Sequence, residues 1–214
     1  MRYRDRQEAG KQLAELLKDY KNEDCIILGI PRGGVIVAAE VAEALHAPLD
    51  IIIPRKIGAP FNPEVAIGAI TQDGTMICEE RLISMLGISE QELVEEAGLV
   101  REEISRRMER YRGQRPFPEL SNKTVILVDD GIATGYTVRA AIKSINGRNP
   151  GKLILAVPVA PKDTLLSLAN ELDEMVCPLT PDDFYAVGQY YMVFDQVTDY
   201  EVMRALREAA LNSK

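Results

Sequence analysis

Apolar positions along the chain fall into short unbroken runs that alternate with stretches of helical spacing. Cys25 to Ile30 (CIILGI), Leu49 to Ile53, Val125 to Val128 and Leu153 to Val159 carry little or no polar alternation. Such runs suit strands buried on both faces of a parallel sheet. Between and around them, apolar residues recur at spacings of three and four. The pattern predicts helices over Arg6 to Lys18, with Leu13, Leu16 and Leu17 on one face, and over Val35 to Leu45, Pro161 to Leu172 and Tyr200 to Leu211. Met175 to Cys177 reads as a short final strand. Alternating strand and helix argue for an α/β fold, an open, mostly parallel sheet flanked by helices.

The middle of the chain breaks this rhythm. Val65 to Cys78 reads as two short strands around Asp73-Gly74, a hairpin signal. Ser89 and Glu92 form a capping-box pattern, and Leu93, Ala97, Val100, Ile104, Met108 and Tyr111 then line one face of a helix whose other face is rich in Glu and Arg. This predicts a surface-packed or dimer helix, ending before Arg115-Pro116-Phe117-Pro118. Asn146 to Gly151 is a turn. The expected division is an α/β core over residues 1–178, including the helix at 89–112, followed by a C-terminal segment and terminal helix over residues 179–214.

Composition narrows the function classes. A length of 214 residues suits one α/β domain with a small appendage. A net charge of −8 argues against wide coating of nucleic acid, so no nucleic-acid partner is expected. No apolar run is long enough to span a membrane, and the charged N-terminus lacks a signal-peptide core. Cys25, Cys78 and Cys177 are scattered in apolar runs without metal spacing and read as buried thiols of a reducing compartment, so a cytoplasmic location is expected. His46 is the only histidine and reads as a helix C-terminal residue, which leaves no multi-histidine metal site.

Candidate chemistry concentrates at Val125 to Thr137, VILVDDGIATGYT. A buried strand ends in two adjacent carboxylates, Asp129 and Asp130. A loop of small and hydroxyl residues follows, Ala133-Thr134-Gly135-Tyr136-Thr137, opening into a helical pattern. Residues just beyond the carboxyl end of a parallel strand are well placed for a ligand. Ionised carboxylates accept hydrogen bonds only and suit vicinal sugar hydroxyls, directly or through Mg²⁺. The loop can aim backbone N–H groups at a phosphate, which the helix dipole also favours. One βα unit earlier, Pro31-Arg32-Gly33-Gly34 follows the first strand: two glycines bring the backbone close, and Arg32 can form a forked pair with phosphate oxygens. The strand at Leu49 to Ile53 ends in Pro54-Arg55-Lys56. Cations at strand ends suit a small polyanion better than a duplex.

At these residues the chain resembles the type I phosphoribosyltransferase family. VILVDDGIATGYT is similar to that family's signature for phosphoribosyl pyrophosphate (PRPP), with Gly131 where a larger aliphatic residue is usual. The resemblance implies a PRPP site. The 5′-phosphate would lie on Ala133, Thr134, Gly135, Tyr136 and Thr137, and the ribose hydroxyls on Asp129 and Asp130. The pyrophosphate would meet Arg32, Gly33, Gly34, Arg55 and Lys56. Mg²⁺ would be held mostly through water or substrate, with Asp129 and Asp130 as its protein ligands. It also implies catalytic roles for Asp129, Asp130 and Lys56, a flap over the substrate, and a hood of C-terminal residues over a nucleobase-like acceptor, where Phe184 or Tyr191 could stack. The flap falls at Ile57 to Val65, where a run rich in Gly and Pro reads as a loop, or around the Gly-containing turn Gln72-Asp73-Gly74. Members acting on 6-oxopurines carry an acidic residue where this chain has Ala133, which points away from hypoxanthine and guanine. Asp182, Asp183 and Glu64 stay open as general bases. A homodimer is expected.

The implied reaction is Mg²⁺-dependent transfer of ribose 5-phosphate from PRPP to a nitrogenous base, with release of pyrophosphate. The rival is a PRPP-binding regulatory protein without turnover. A hydrolase using the acidic pair would need a metal cage or nucleophile that the sequence does not offer.

Overall fold

The computed structural model describes residues 2–212. In chain order its elements are α1 (Arg6–Leu16), β1 (Cys25–Gly29), α2 (Gly33–Leu45), β2 (Leu49–Ile51), β3 (Arg55–Ala59), β4 (Asn62–Ile70), β5 (Met76–Cys78), α3 (Glu80–Leu86), α4 (Glu90–Arg112), β6 (Thr124–Val128), α5 (Tyr136–Asn146), β7 (Lys152–Ala156), α6 (Lys162–Leu168), β8 (Glu174–Val176) and α7 (Asp199–Asn212). They form two compact units. One comprises residues 1–52, 117–135 and 145–214, and the other residues 53–116 and 136–144. The segment from residue 179 onward thus shares a unit with the parallel sheet.

In the first unit the strands run in the order β2-β1-β6-β7-β8, all parallel. β1 is buried along its whole length, and β6 and β7 are buried beyond their first residues, as their unbroken apolar runs require. From β1 the chain passes through α2 to β2 on one side. From β6 it returns through α5 to β7 on the other. The order in which strands are added therefore reverses between β1 and β6, which pair in parallel from Cys25–Thr124 to Gly29–Val128. A ligand crevice forms at such a point, beyond the strands' carboxyl ends. Ile30 N–H still donates to the Val128 carbonyl at 2.9 Å, so the two chain exits leave the sheet side by side.

α1 starts at Asp5, whose carboxylate accepts from Glu8 N–H at 2.8 Å, a normal N-cap. Leu13 and Leu17 are fully buried against α2, together with Val37, Val41 and Leu45. Leu16, expected on the same face, is instead 54% exposed; α1 ends there, and a 3₁₀ turn at Lys18–Tyr20 follows. His46 is the exposed, left-handed C-cap of α2 (φ 57°). Of the three thiols only Cys25 is fully buried; Cys78 and Cys177 are half-buried, and burial pushes Cys177 up to about 11. The helix expected over Pro161 to Leu172 is shorter, α6 being succeeded by a 3₁₀ turn at Ala169–Glu171.

The second unit departs most from the sequence reading. Ile57 to Val65 is not a loop: β3 and β4 pair antiparallel around Pro60-Phe61, with register shifts at Gly58. A Cβ on Gly58 would lie 2.5 Å from the Pro63 carbonyl oxygen, so the close approach selects glycine. β5 completes a three-stranded sheet, order β3-β4-β5. Arg55 and Lys56 consequently lie inside β3, opposite Ile70 and Ala69, and not at the end of β2, which stops at Ile51. α4 carries the expected capping box at Ser89 and Glu92, and Ala97, Ile104 and Tyr111 are its buried face.

The other flap candidate, Gln72 to Gly74, is a pinned turn. Asp73 accepts from Ser144 Oγ and Thr71 Oγ1 at 2.6 Å and from Thr75 N–H at 3.0 Å. Desolvation alone would raise its pKa, but these donors hold its carboxyl well below the usual range. Thr71 and Ser144 are buried, so Asp73→Ala would take the acceptor from the Ser144 hydroxyl and leave Thr71 Oγ1 only the Thr75 carbonyl at 3.2 Å, and should cost about 1–2 kcal/mol in urea unfolding. Because the folded pKa is depressed, this contribution is present above the unfolded value of about 3.9 and is lost as pH falls toward the folded one. Unfolding midpoints of wild type and variant should therefore converge in strong acid.

Candidate functional site

The site begins where β1 and β6 end. Asp129 and Asp130 follow Val128 directly, and α2 starts at Gly33 with Arg32 as its N-cap; the Pro31–Arg32 peptide is cis. Asp130 Oδ2 accepts from Arg6 Nε at 2.7 Å, and Asp129 Oδ1 accepts from Asp130 N–H at 2.8 Å. Each carboxylate thus spends one oxygen inside the protein. The Arg6–Asp130 pair is largely buried, with side-chain exposures of 11% and 15%. Burial, and then the neighbouring Asp130 charge, push Asp129 well above the usual carboxylate range.

Gly33 and Gly34 have a tighter role than bringing backbone to an anion. A Cβ on Gly33 would lie 1.9 Å from Asp130 Oδ2, and one on Gly34 would lie 2.7 Å from Asp129 Cα. The first turn of α2 is packed directly onto the acidic pair, and only hydrogen atoms fit in the gap. Arg32 is half-buried and lies 3.9 Å from Asp199 Oδ1 at the start of α7.

The loop after the acidic pair divides its polar groups between folding and a possible ligand. Ile132 N–H donates to the Val159 carbonyl at 3.0 Å, and the Ala133 carbonyl accepts from Thr164 Oγ1 at 2.7 Å. Ala133 and Thr134 are exposed. Gly135 takes the left-handed conformation, φ 77°, immediately before α5, whose first-turn N–H groups have no intrahelical partner. Gly131 is needed where it stands: a Cβ there would lie 2.5 Å from Val187 Cγ1 and 3.0 Å from Val159 Cγ1. The glycine that departs from the family pattern is thus matched by the valines that close on it.

Some sequence-predicted residues have other employment. Tyr191 is buried, and its hydroxyl donates to the Asp130 carbonyl at 2.6 Å. Burial and the Asp130 charge push its phenol far up, so it remains a neutral donor. It braces the acidic pair and is not placed to stack on a base. Phe184 stacks on Tyr190, with centroids 5.6 Å apart and planes at 19°. Within the second unit, the Tyr136 hydroxyl donates to Glu79 Oε2 at 2.8 Å, which raises its pKa and commits it away from a phosphate. Also in that unit, Arg55 Nη1 pairs with Glu103 at 3.0 Å, and Lys56 is exposed on β3. Asp182 and Asp183 are exposed in the C-terminal segment, as is Glu64 on β4.

Sequence reasoning missed Arg6. It stands 124 positions from Asp130, and nothing in its surroundings marks it beyond following the N-cap of α1. Its guanidinium lies over the Phe194 ring at 3.9 Å and donates through Nη1 to the Asp195 carbonyl at 2.9 Å. Tyr3 closes the same corner, with its ring 5.5 Å from that of Tyr191 and its hydroxyl on the Pro158 carbonyl.

Among the described residues no group of three or more His, Cys, Asp or Glu side chains could hold a metal, and no helix is long and apolar enough to cross a membrane. The donor set at the acidic pair is compatible with Mg²⁺ only in one form. With one oxygen of each carboxylate already used, the pair suits an ion that keeps its waters and takes most of its ligands from substrate oxygens.

Parallel strand order and a switch point between β1 and β6 define an open α/β domain, with the acidic pair as its candidate site beyond the sheet's carboxyl edge. The chain belongs to the phosphoribosyl transferase domain family, whose model matches residues 4–195. It is 42% identical over 207 residues to a Mycobacterium tuberculosis protein named "Putative phosphoribosyl transferase Rv0571c", covering 96% of this chain and 46% of that protein. The chain thus spans about half the length of the curated relatives it matches. Among solved structures, TT1426 from Thermus thermophilus superposes with a TM-score of 0.82 at 41% identity, covering 97% of this chain and 99% of that one. A purine phosphoribosyltransferase from Pyrococcus horikoshii shares the fold at 18% identity, TM-score 0.50, with coverage of 90% and 92%.

Proposed function

We propose that this chain is a Mg²⁺-dependent phosphoribosyltransferase that transfers ribose 5-phosphate from PRPP to a nitrogenous base and releases pyrophosphate. The observation that carries the proposal is the acidic pair at the switch point, between the first turn of α2 and the loop that opens α5. Asp129 and Asp130 would each turn an oxygen to the ribose diol, and the N–H groups of residues 133–135 with the Thr134 hydroxyl would receive the 5′-phosphate, a role that Tyr136 and Thr137 share on the resemblance alone. Arg32 and the N-terminus of α2 receive the pyrophosphate. A leaving-group role for Arg55 and Lys56 rests on the resemblance alone, and so does assembly as a homodimer; a cytoplasmic location rests on the scattered thiols. The bound Mg²⁺ would neutralise charge on the leaving pyrophosphate. The protein's own part is to hold the sugar and stabilise the oxocarbenium-like state through fixed charges, without a covalent nucleophile. Ala133, where an acidic residue would meet a 6-oxopurine, favours a different heterocycle as acceptor.

Titration calorimetry with PRPP and Mg²⁺ tests the binding half, and a folded wild type that binds no PRPP would end the proposal. Pyrophosphate release, measured over purines, pyrimidines, nicotinate and ammonia, tests the transfer half. Binding without release for any acceptor would transfer the reading to a PRPP-sensing regulatory protein.

A further inference from the structure

We propose that Arg6 is the positioning residue of the ribose subsite: it seats the Asp130 carboxylate and joins that seat to the C-terminal segment. The inference rests on the PRPP reading given above and adds a residue that no part of the signature contains. Asp130 is gripped from two sides. Arg6 Nε holds Oδ2 at 2.7 Å, while the Cβ-free edge of Gly33 closes behind the same oxygen. A carboxylate so held can turn only its remaining oxygen outward, toward a diol.

Arg6 is itself held by residues far along the chain. Phe194 lies under its guanidinium at 3.9 Å, and the Asp195 carbonyl accepts from Nη1 at 2.9 Å. The same C-terminal segment reaches the acidic pair a second time through the Tyr191 hydroxyl on the Asp130 carbonyl. Arginine is suited to the position because its planar fork serves carboxylate, carbonyl and ring face at once, which an ammonium cannot do. The segment expected to cover the acceptor therefore also sets the geometry of the sugar-binding carboxylate.

The test compares ribose 5-phosphate with 2-deoxyribose 5-phosphate, alongside PRPP, by calorimetry on the full chain. Wild type should prefer the ribose form about tenfold, one charge-assisted hydrogen bond's worth. Arg6→Gln should weaken PRPP about tenfold and bring the ribose preference close to one, with the 5′-phosphate contribution intact. Arg6→Lys should recover part of the preference, and Phe194→Leu, which keeps the charge pair, should lose only part of it. A purely structural role would weaken both sugars equally and leave the preference unchanged, which would overturn the inference. A wild type that binds PRPP but shows no ribose preference would overturn it as well. A wild type that binds none of the three sugars would remove the PRPP reading and this inference together. Should Arg6→Gln fail to fold, Arg6→Lys and Phe194→Leu still decide between these outcomes.

Discussion

Replacing Asp129 and Asp130 together by Asn should lower PRPP affinity by about a hundredfold or more. Each ionised carboxylate that accepts from a sugar hydroxyl contributes about 1.5–3 kcal/mol, and a factor of ten corresponds to about 1.4 kcal/mol. The single variants should separate the cost to function from the cost to fold. Asp129 is held beside a second carboxylate in a desolvated position, which raises its pKa. A folded-state pKa raised above the unfolded value penalises the native state as pH rises through the unfolded value, and the penalty is fully developed above the folded one. Asp129→Asn removes that penalty, and the amide oxygen can still accept from Asp130 N–H. Thermal stability near neutral pH should rise while PRPP binding falls.

Asp130→Asn should do the opposite to the fold. It leaves Arg6, at 11% side-chain exposure, without its anion, and breaking such a pair from one side costs about 3 kcal/mol or more. Calorimetric binding and thermal melts of the two singles and the double check both signs. If Asp129→Asn destabilises the chain and leaves PRPP affinity unchanged, the acidic pair is structural and the site assignment is wrong.

Gly33→Ala should impair PRPP binding about as much as Asp130→Asn, with a smaller loss of stability. The new methyl group would fall 1.9 Å from Asp130 Oδ2 and 2.7 Å from Arg6 Nε. These are side-chain atoms, so the carboxylate can swing away while the backbone stays, and alanine returns some helix propensity at the start of α2. The site loses its geometry and the fold is largely kept. Gly34→Ala presents the contrasting case. Its Cβ meets Asp129 Cα at 2.7 Å and the Val128 carbonyl at 3.0 Å, which are backbone atoms at the sheet's edge. That substitution should cost about 1–3 kcal/mol of stability, the usual range for overpacking. Urea unfolding and PRPP titration of the two variants should show function lost first at Gly33 and fold lost first at Gly34. Equal effects on both properties at both positions would contradict the packing described for the first turn of α2.

How far the sequence carried the reading follows from the reach of each interaction. The five parallel strands, the alternation with helices and the capping box of α4 were legible because they rest on local periodicity and neighbours three or four residues apart. The acidic pair and the hydroxyl loop were legible because they are contiguous. Where local signals conflicted, the reading failed. Gly and Pro between Ile57 and Pro63 suggested a loop, yet pairing with β4 drew the segment into β3 around a two-residue turn, and a close backbone contact accounts for Gly58. Asp73-Gly74 does form the turn of the expected hairpin between β4 and β5, but as a flap candidate it is pinned by the side chains of Thr71 and Ser144.

By itself, then, the sequence marked an acidic pair and a hydroxyl loop as candidates for a phosphorylated sugar and placed them beyond the end of a buried strand. Backbone periodicity and contiguous motifs carry that information along the chain. Only the tertiary structure decided what each of these groups has left to offer. Arg6 takes one oxygen of Asp130, Tyr191 is spent on a backbone carbonyl, and Gly33 and Gly34 are required by a helix turn seated against carboxylates. Those contacts join positions more than sixty or a hundred residues apart. Packing and burial alone set them, and no local propensity records them.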